Sequence, residues 1–251
     1  IKFKKLLMDK KNNCVTVLAD RNYIKHFPIF YKQLREIGKF EGEINLITNN
    51  GINFSSFKKR DYKNLNILKF KKIKYSNETV KKLNNIPNGR NSTKGFQWQK
   101  FYLFNEVFKK WDFNLYIDIN MTIRDNINNL FNLRLENKLV APYDAYPDLD
   151  WNLESQFTND KILLHELSQK YDLSIRKYFQ TGILLYDTAI IKKNTFQDLI
   201  NLVEKYPVSK NNEQGIMNLY FIFEKNEFEP LNSSVYSYWY EKNKKATVTK
   251  R

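Results

Sequence analysis

Cysteine is almost absent from this chain, because Cys14 is the single one among 251 residues. One cysteine excludes an intramolecular disulfide and a cysteine-based zinc site. It also favours a reducing compartment, so we expect a cytoplasmic protein, or one in the cytosol of an infected host cell if the chain is viral. Four Asn-x-Ser/Thr glycosylation patterns, which begin at Asn53, Asn77, Asn91 and Asn232, leave a luminal location open.

Glycine is scarce as well, with seven residues, and histidine occurs twice. The sequence contains neither a Walker-type phosphate loop nor a glycine-rich dinucleotide fingerprint. His26 and His165 have no serine or cysteine nucleophile motif beside them, so a hydrolase triad would have to assemble from distant segments. No apolar run reaches the roughly 18 to 20 residues that span a bilayer, and the first residues are not a secretory signal. We therefore expect no transmembrane segment.

What the chain has in excess is positive charge, with a formal net charge of +15 and a pI near 9.6. Such a charge suggests an anionic partner. The lysines are scattered along the whole length, however, and no nucleic-acid-binding motif accompanies them, so we expect no specific nucleic acid partner. With 42% hydrophobic and 16% aromatic residues, the chain can bury a core that fits one α/β domain or two small ones.

Hydrophobic periodicity predicts strands that alternate with helices. Strand 14–18, helix 30–37 and strand 44–48 form the opening β-α-β unit of a nucleotide-binding sheet. Further strands are predicted at 62–75 (one or two), 114–117, 138–142 and 178–187, and helices at 96–110, 126–131, 151–171, 196–206 and 211–223. No repeat or linker stands out, so we expect one domain.

Asp118 and Asn120 follow the predicted strand 114–117 and lie two residues apart. In an extended segment this spacing puts both side chains on one face, where their oxygens could bind one hard cation. The alternative is that a strand simply ends in polar residues before a turn. The neighbouring motifs have to decide between the two.

Other predicted strands also border on polar residues. These are Asp20, Asn22 and Tyr23 after the first strand, Asp144 after strand 138–142, and Gln180 and Thr181 before a later strand. In an open α/β sheet, ligands bind in the crevice outside the carboxyl ends of the strands, so these groups could meet in one pocket. Tyr23 could stack on a base, and a divalent ion at Asp118 could hold a diphosphate and act as a Lewis acid. The pattern predicts group transfer from a nucleoside diphosphate.

The order of these motifs resembles glycogenin and the wider family-eight glycosyltransferases. The segments that carry the resemblance are 17–23, 115–120, 126–131, 140–144, 179–182, 212–218 and 231–238. The resemblance implies a single GT-A domain over residues 1–251, an α/β fold with a central mixed, mostly parallel sheet flanked by helices. Its nucleotide-binding half would cover about 13–125, and its donor-sugar and acceptor half about 126–240.

The resemblance also implies a retaining, metal-assisted enzyme. It would transfer a hexose, with glucose favoured, from a UDP-sugar to a hydroxyl of a glycan or protein acceptor, with Mn2+ or Mg2+ as the cofactor. A homodimer is compatible with it. The implied roles are nucleoside binding by Leu18, Asp20, Asn22 and Tyr23, contact with the diphosphate by Lys100, metal binding by Asp118 and Asn120, and contact with the donor sugar by Asp144, Gln180, Thr181, Gly182, Glu213 and Gln214. Catalysis would fall to Asp118, Glu213, Gln214 and Lys100.

The sequence departs from the family pattern at several points. Asn120 replaces a second aspartate, and a neutral amide oxygen binds a hard cation less strongly than a carboxylate. Glu213 replaces an aspartate, and the family's later metal-binding histidine has no match. The tyrosine that glycogenin glucosylates on itself is not matched either. About thirty residues, 147–177, separate two motifs that nearly touch in glycogenin, and we expect this insertion to shape the acceptor side, with Trp151 and Phe157 as platforms for sugar stacking.

Three alternatives stay open. The first is a catalytically weak or inactive sugar-nucleotide-binding protein of the same fold, which Asn120 and the missing histidine favour. The second is a nucleotidyltransferase, which should have a glycine-rich loop after the first strand, where residues 19–25 have none. The third is a basic nucleic-acid binder, which would form a salt-sensitive complex.

Overall fold

The strands of the central sheet are short, and the residues of its middle strands are mostly buried on both faces. The computed structural model describes residues 12–49, 59–133, 135–144, 146–158, 160–231, 236–237 and 245–250. Its strands are β1 (Asn13–Leu18), β2 (Glu43–Thr48), β3 (Leu65–Lys69), β4 (Phe113–Ile117), β5 (Met121–Ile123), β6 (Leu139–Ala141), β7 (Ile183–Asp187), β8 (Phe228–Pro230), β9 (Tyr236–Ser237) and β10 (Val248–Lys250). Strands buried on both faces read as nearly continuous apolar runs, as in β4, where Asn114 interrupts the run.

Seven of these strands form one sheet in the order β3-β2-β1-β4-β7-β6-β8. The pairs β3-β2, β2-β1, β1-β4 and β6-β8 are parallel, and β7 is antiparallel to both of its neighbours. The predicted fold class, a mixed and mostly parallel sheet flanked by helices in one α/β domain, is confirmed. Because β7 alone is reversed, the carboxyl ends of β1, β4 and β6 and the amino end of β7 share one edge of the sheet.

Six α-helices lie in the described residues: α1 (Phe27–Glu36), α2 (Asn77–Asn84), α3 (Asn91–Lys94), α4 (Lys161–Lys170), α5 (Thr195–Lys205) and α6 (Glu213–Asn218). The last continues as a π-helical segment, Leu219–Glu224. Shorter 3-10 segments are Ile24–His26, Lys59–Asp61, Gly95–Phe104, Glu106–Lys110, Ile127–Asn132, Leu153–Gln156 and Thr188–Ile190. Within the described ranges, no helix is both long enough and apolar enough to cross a membrane.

The predicted continuous helix 96–110 is wrong. It consists of two 3-10 segments that are separated at Asn105, whose backbone is extended and whose side chain accepts a hydrogen bond from Val107 N at 3.1 Å. Because the Asn105 side chain caps the second 3-10 segment, the first segment ends before it. The prediction for 151–171 is correct only in part, because a 3-10 turn, Leu153–Gln156, precedes the helix α4.

Two apolar layers cover the two faces of the sheet, and alternate residues of each strand enter them. Val15 and Val17 of β1 pack with α1 on one face, whereas Cys14 and Leu18 pack on the other. Tyr116 likewise faces away from its neighbours Leu115 and Ile117. This alternation follows from the period-two geometry of strands. The sheet is therefore held rigidly from both sides.

A second sheet lies next to the turn that follows β4. It has the order β5-β10-β9, with β10 antiparallel to β5 and parallel to β9. The late segment 231–238 is one of those that carry the resemblance to family-eight enzymes. Its residues 232–235 and 238 lie outside the described residues.

Candidate active site

The first candidate residue, Asp118, follows β4 directly at the shared edge of the sheet. Its backbone N–H donates to Gly182 O at 2.7 Å, which joins it to the loop before β7. Met121 N donates to Asp118 O at 2.9 Å, so residues 118–121 form a tight turn. The assumption that Asp118 and Asn120 lie in an extended segment is therefore wrong. Asn120 lies inside the turn and is half-buried.

Lys100 connects Asp118 with the other half of the site. Its ammonium nitrogen lies 3.1 Å from Asp118 Oδ1 and 2.9 Å from Glu213 Oε1, and it also donates to Thr181 O at 3.1 Å. The side chains of Lys100 and Glu213 are each only 2% exposed. Thr181 Oγ1 donates to the same Glu213 oxygen at 2.7 Å. One buried cation thus joins the turn after β4, the loop before β7 and the start of α6.

The charge state of this cluster follows from its contacts. Burial disfavours the charged form of Lys100, but Asp118 and Glu213 outweigh burial, so the pKa of the ammonium is raised above its ordinary value. Burial and the Asp118 charge raise the pKa of Tyr116 well above its ordinary value. Tyr116 therefore stays protonated, and its hydroxyl donates to Asp118 Oδ1 at 2.5 Å. Asp118 Oδ1 is held by two donors.

Two buried polar atoms in this region have no hydrogen-bond partner among the described residues. They are Oε2 of Glu213 and Nε2 of Gln180, whose residues are 2% and 7% exposed. Buried polar groups are nearly always paired, so an acceptor and a donor left over at one edge of the sheet indicate a place for a polar ligand. Both residues were predicted to contact the donor sugar.

Gly182 is closely surrounded by side-chain ends at the same point. Its N–H is hydrogen-bonded by Gln180 Oε1. A Cβ atom at this position would overlap the Met121 methyl group and would lie 2.7 Å from Gln180 Oε1 and 3.3 Å from Asp118 Oδ2. The absence of a side chain therefore keeps the approach to Asp118 open, which gives a physical reason for the glycine in the predicted motif.

Asp144 lies after β6 in a second polar cluster. Its Oδ2 accepts hydrogen bonds from Gln214 Nε2 at 3.1 Å and from Gln156 Nε2 at 3.3 Å. Gln214 Oε1 accepts from Thr181 N at 3.3 Å, which links this cluster to the Lys100 cluster. Burial raises the pKa of Asp144 although hydrogen bonds from Tyr178 and Gln214 favour its charged form. Asp144, Gln180, Thr181, Glu213 and Gln214 are brought together as predicted.

The sequence reasoning did not identify Gln156. This residue is 2% exposed and lies inside the insertion 147–177, outside every motif that the family comparison uses. A buried glutamine in a predicted helix carries no signal of its own. The position of Gln156 becomes evident only in the structure. There an isolated β-bridge between Phe157 and Ser209 brings the insertion against the segment before α6.

The residues predicted to bind the nucleoside lie after β1. Asp20 Oδ1 accepts hydrogen bonds from Asn22 N at 2.9 Å and Tyr23 N at 3.0 Å, which forms a compact turn. The Tyr23 ring is 38% exposed, whereas Leu18 is buried in the core. Thr16 lies opposite Tyr116 in the β1-β4 register, so this turn is next to the Asp118 turn at the sheet edge. Their role in nucleoside binding stays a prediction.

A divalent ion would find few protein ligands here. Oδ1 of Asp118 is taken by Tyr116 and Lys100, and the side chain is 27% exposed, which leaves Oδ2 for an ion. The Asn120 amide oxygen stays the second predicted ligand. In the part of the chain that the structure describes, no group of three His, Cys, Asp or Glu side chains could hold a metal ion. Mg2+ and similar ions are often bound by one or two carboxylates and by substrate phosphates. The residues therefore fit an ion that takes most of its ligands from a diphosphate and water.

The insertion differs from the expectation in one respect. Trp151 is 53% exposed, as a stacking platform requires, but Phe157 is 1% exposed and cannot contact an acceptor sugar. Phe157 packs instead under Gly215, where an added Cβ would lie 2.8 Å from its ring. The prediction for Phe157 is wrong because its backbone pairs with Ser209 and turns the ring inward.

Comparison with known proteins agrees with this architecture. No family profile and no curated protein sequence matches the chain. The galactosyltransferase LgtC, solved with donor and acceptor sugar analogues, matches with a TM-score of 0.62 and 17% identity, over 94% of this chain and 86% of LgtC. The glycosyltransferase GlyE of Streptococcus pneumoniae TIGR4 matches with a TM-score of 0.57 and 18% identity, over 90% of this chain and 46% of GlyE. Mouse xyloside xylosyltransferase 1 has a TM-score of 0.55 and 11% identity, over 95% and 97% of the two chains.

These likenesses define the fold of the chain as that of the GT-A glycosyltransferases. The bifunctional glycosyltransferase WbbM also shares it, and the chain spans 46% of the length of WbbM and of GlyE. At these identities the likeness concerns the fold, so membership of the glycogenin-like family stays a prediction.

Proposed function

We propose that this chain is a retaining glycosyltransferase that transfers a hexose from a UDP-sugar to a hydroxyl of a glycan or protein acceptor. The observation that carries the proposal is the joining of Asp118, Lys100, Thr181 and Glu213 at one edge of a GT-A sheet. In such sheets ligands bind outside the carboxyl ends of the strands. The reaction breaks the bond between the sugar C1 and the diphosphate oxygen, releases UDP, and forms a bond from C1 to the acceptor oxygen, whose hydroxyl proton passes to the departing diphosphate or to water.

We propose the following roles for the residues of the site. Asp20, Asn22 and Tyr23 would hold the nucleoside, while Glu213 Oε2 and Gln180 Nε2 offer an acceptor and a donor to sugar hydroxyls. Lys100 keeps Asp118 and Glu213 at fixed positions and supplies a positive charge beside the diphosphate. Asp118 and Asn120 would hold Mn2+ or Mg2+, which, when bound, neutralises charge on the departing diphosphate.

Calorimetry with UDP in the presence and absence of Mn2+ tests the proposal. We expect binding that depends on the metal, and its loss in Asp118→Ala, because Asp118 is the carboxylate that we propose as a ligand of the ion. Asp61→Ala is the matched control, since Asp61 pairs with Arg60 on the surface beside β3. Metal-independent binding, or equal binding by wild type and Asp118→Ala, would contradict the proposal.

A second candidate function is a sugar-nucleotide-binding protein without turnover. The observation that favours it is the sparse set of metal ligands, with Asn120 in place of a carboxylate. Release of UDP from a panel of UDP-sugars, with and without Asn120→Asp, separates the two functions. A turnover that rises in Asn120→Asp supports an enzyme whose metal ion assists the reaction but is weakly bound. No turnover in the wild type or in Asn120→Asp supports the binding protein.

A further inference from the structure

We propose that Gln156, which the insertion contributes, is a positioning residue that fixes Asp144 and Gln214 for contact with the donor sugar. The inference rests on the proposed function, since it concerns the same site. Gln156 makes four side-chain hydrogen bonds. Its Nε2 donates to Asp144 Oδ2 at 3.3 Å and to the Tyr178 hydroxyl at 3.2 Å, and its Oε1 accepts from Gln214 Nε2 at 2.9 Å and Asn211 Nδ2 at 2.7 Å.

These contacts determine which way the Gln214 amide points. Gln156 Oε1 and Asp144 Oδ2 are both acceptors, so they require the NH2 group of Gln214 on their side. The Gln214 oxygen is consequently directed at Thr181 N. Without Gln156, only Asp144 Oδ2 would hold the NH2 group and only Thr181 N the oxygen, so the Gln214 side chain would be held less firmly. The orientation of a residue predicted to contact the sugar thus depends on a residue from the insertion.

The backbone around Gln156 is held firmly enough to act in this way. Lys210 N donates to Gln156 O at 2.8 Å, and Thr158 N donates to Val208 O at 2.8 Å. On the other side, Leu153 N donates to Ile175 O at 2.9 Å. The Phe157 ring lies under Gly215 in the first turn of α6. The segment 153–158 therefore packs against the start of α6, and two of its side chains reach the polar cluster: Ser155 lies 3.4 Å from the Tyr178 hydroxyl, and Gln156 bonds directly to Asp144 and Gln214.

Two variants of nearly equal volume test the inference. Gln156→Met removes all four hydrogen bonds and keeps the shape. Gln156→Glu keeps two acceptors but places a carboxylate oxygen beside Asp144 Oδ2, where the like charge raises the pKa of the pair. Tyr178, Arg90 and Lys250 are the other titratable groups that act on Asp144. Gln197→Met on the surface of α5 is the control, because Gln197 bonds only to Asn201 among the described residues.

The measurement is the affinity for UDP, UDP-glucose and UDP-galactose by calorimetry, at about pH 5.5 and about pH 7.5. In Gln156→Met we expect the affinity for a UDP-sugar to fall about tenfold, while the affinity for UDP stays that of the wild type. Gln197→Met should bind both ligands as the wild type does. In Gln156→Glu the loss should be larger at about pH 7.5 than at about pH 5.5, because a proton taken up by either carboxyl group relieves the repulsion between them.

Each outcome decides the question. Equal losses for UDP and UDP-sugars in Gln156→Met, or no loss for either, would overturn the inference and leave the proposed function intact. A loss in Gln156→Glu that is the same at both pH values would also overturn it. Such a loss would indicate a structural defect, which does not depend on the protonation of the two carboxyl groups. A wild-type chain that binds neither UDP nor a UDP-sugar would instead overturn the proposed function and the inference with it.

Discussion

Lys100 holds three distant segments together with a single ammonium group, and this makes it the residue on which the site depends most. Its partners Asp118 and Glu213 lie 18 and 113 positions later in the chain. Removal of one member of a buried ion pair is costly because the remaining charge is left without a partner. Glu213, which is 2% exposed, would be that charge.

Lys100→Met should therefore lower the free energy of unfolding by about 3 to 5 kcal/mol. The double variant Lys100→Met/Glu213→Gln should recover part of the lost free energy of unfolding, because the second substitution removes the unpaired carboxylate. Urea denaturation measures both. Lys32→Met is the control, since the exposed Lys32–Glu36 pair is worth about 0 to 1 kcal/mol. Equal losses in the Lys100 and Lys32 variants would show that the buried pairs do not stabilise the fold.

The buried carboxyl group of Asp144 should make the stability of the protein depend on pH. Burial raises its pKa in the folded protein, so the folded state binds this proton more tightly than the unfolded state. The resulting stabilisation is present at low pH and is lost as the pH rises through the folded-state pKa. We expect Asp144→Asn to be more stable than the wild type at about pH 7 and the difference to disappear below about pH 4. Thermal unfolding across this range measures it.

Asp172 provides a control of the opposite sign. Hydrogen bonds from the Ser174 side chain and backbone lower the pKa of Asp172, so its contribution is present at neutral pH and is lost in acid. Asp172→Asn should thus be less stable than the wild type at about pH 7, with a gap that closes as the pH falls. If both variants changed stability in the same direction, burial would not be the cause at Asp144.

At the scale of single elements, the first turn of α6 packs closely against Phe157 because Gly215 leaves room for the ring. A Cβ at Gly215 would lie 2.8 Å from the Phe157 ring and 2.9 Å from Ser209 Oγ. Gly215→Ala should destabilise the protein by about 1 to 3 kcal/mol, as overpacking does, and should weaken UDP-sugar binding by displacing Gln214.

Gly95→Ala is the matched control for Gly215→Ala. The nearest atom to a Cβ at Gly95 would be Asn91 Oδ1 at 3.8 Å, and the backbone there is already helical. This change should stabilise the protein by about 0.4 to 1 kcal/mol, because alanine has less conformational entropy to lose on folding. A loss at Gly95 similar to that at Gly215 would contradict the packing argument.

The elements that the sequence predicted correctly are those with a strong local signal. Strand β4 is apolar except for Asn114, and α5 has an apolar stripe at helical spacing, so both were predicted to within a residue or two. The predicted helix at 96–110 failed because apolar spacing does not register the capping side chain of Asn105. Residues 151–171 failed in part because the first half is held by contacts with residues 173 and 175, which no local pattern reveals.

At the scale of the whole molecule, the sequence predicted which residues reach the edge of the sheet but not how they contact one another. Strand-end residues converge there by topology alone, so Asp118, Asp144 and Gln180 were identified. The contact of Lys100 with both Asp118 and Glu213 depends on the packing of the 3-10 segment beside the sheet. Gln156 depends on how the insertion folds back, for which the sequence contains no motif.

The net charge of +15 also acts on the molecule as a whole. Like charges repel in the compact state, and salt screens this repulsion over a distance of about 10 Å at 0.1 M. Salt also weakens exposed ion pairs such as Lys82–Glu78, but each of these contributes only about 0 to 1 kcal/mol. The repulsion should dominate, so we expect the Tm to rise when NaCl is increased from about 20 mM to about 200 mM.

A variant with less charge separates screening from other effects of salt. Lys72, Lys109 and Lys193 are exposed and have no ion pair among the described residues. Replacement of all three by glutamate removes two units of positive charge at each position, so the repulsion that salt can screen becomes smaller. The rise of Tm with NaCl should therefore be weaker in the triple variant, as scanning calorimetry at each salt concentration would measure. An equal rise in both proteins would instead point to a salt effect on apolar surface, which does not depend on the charge of the chain.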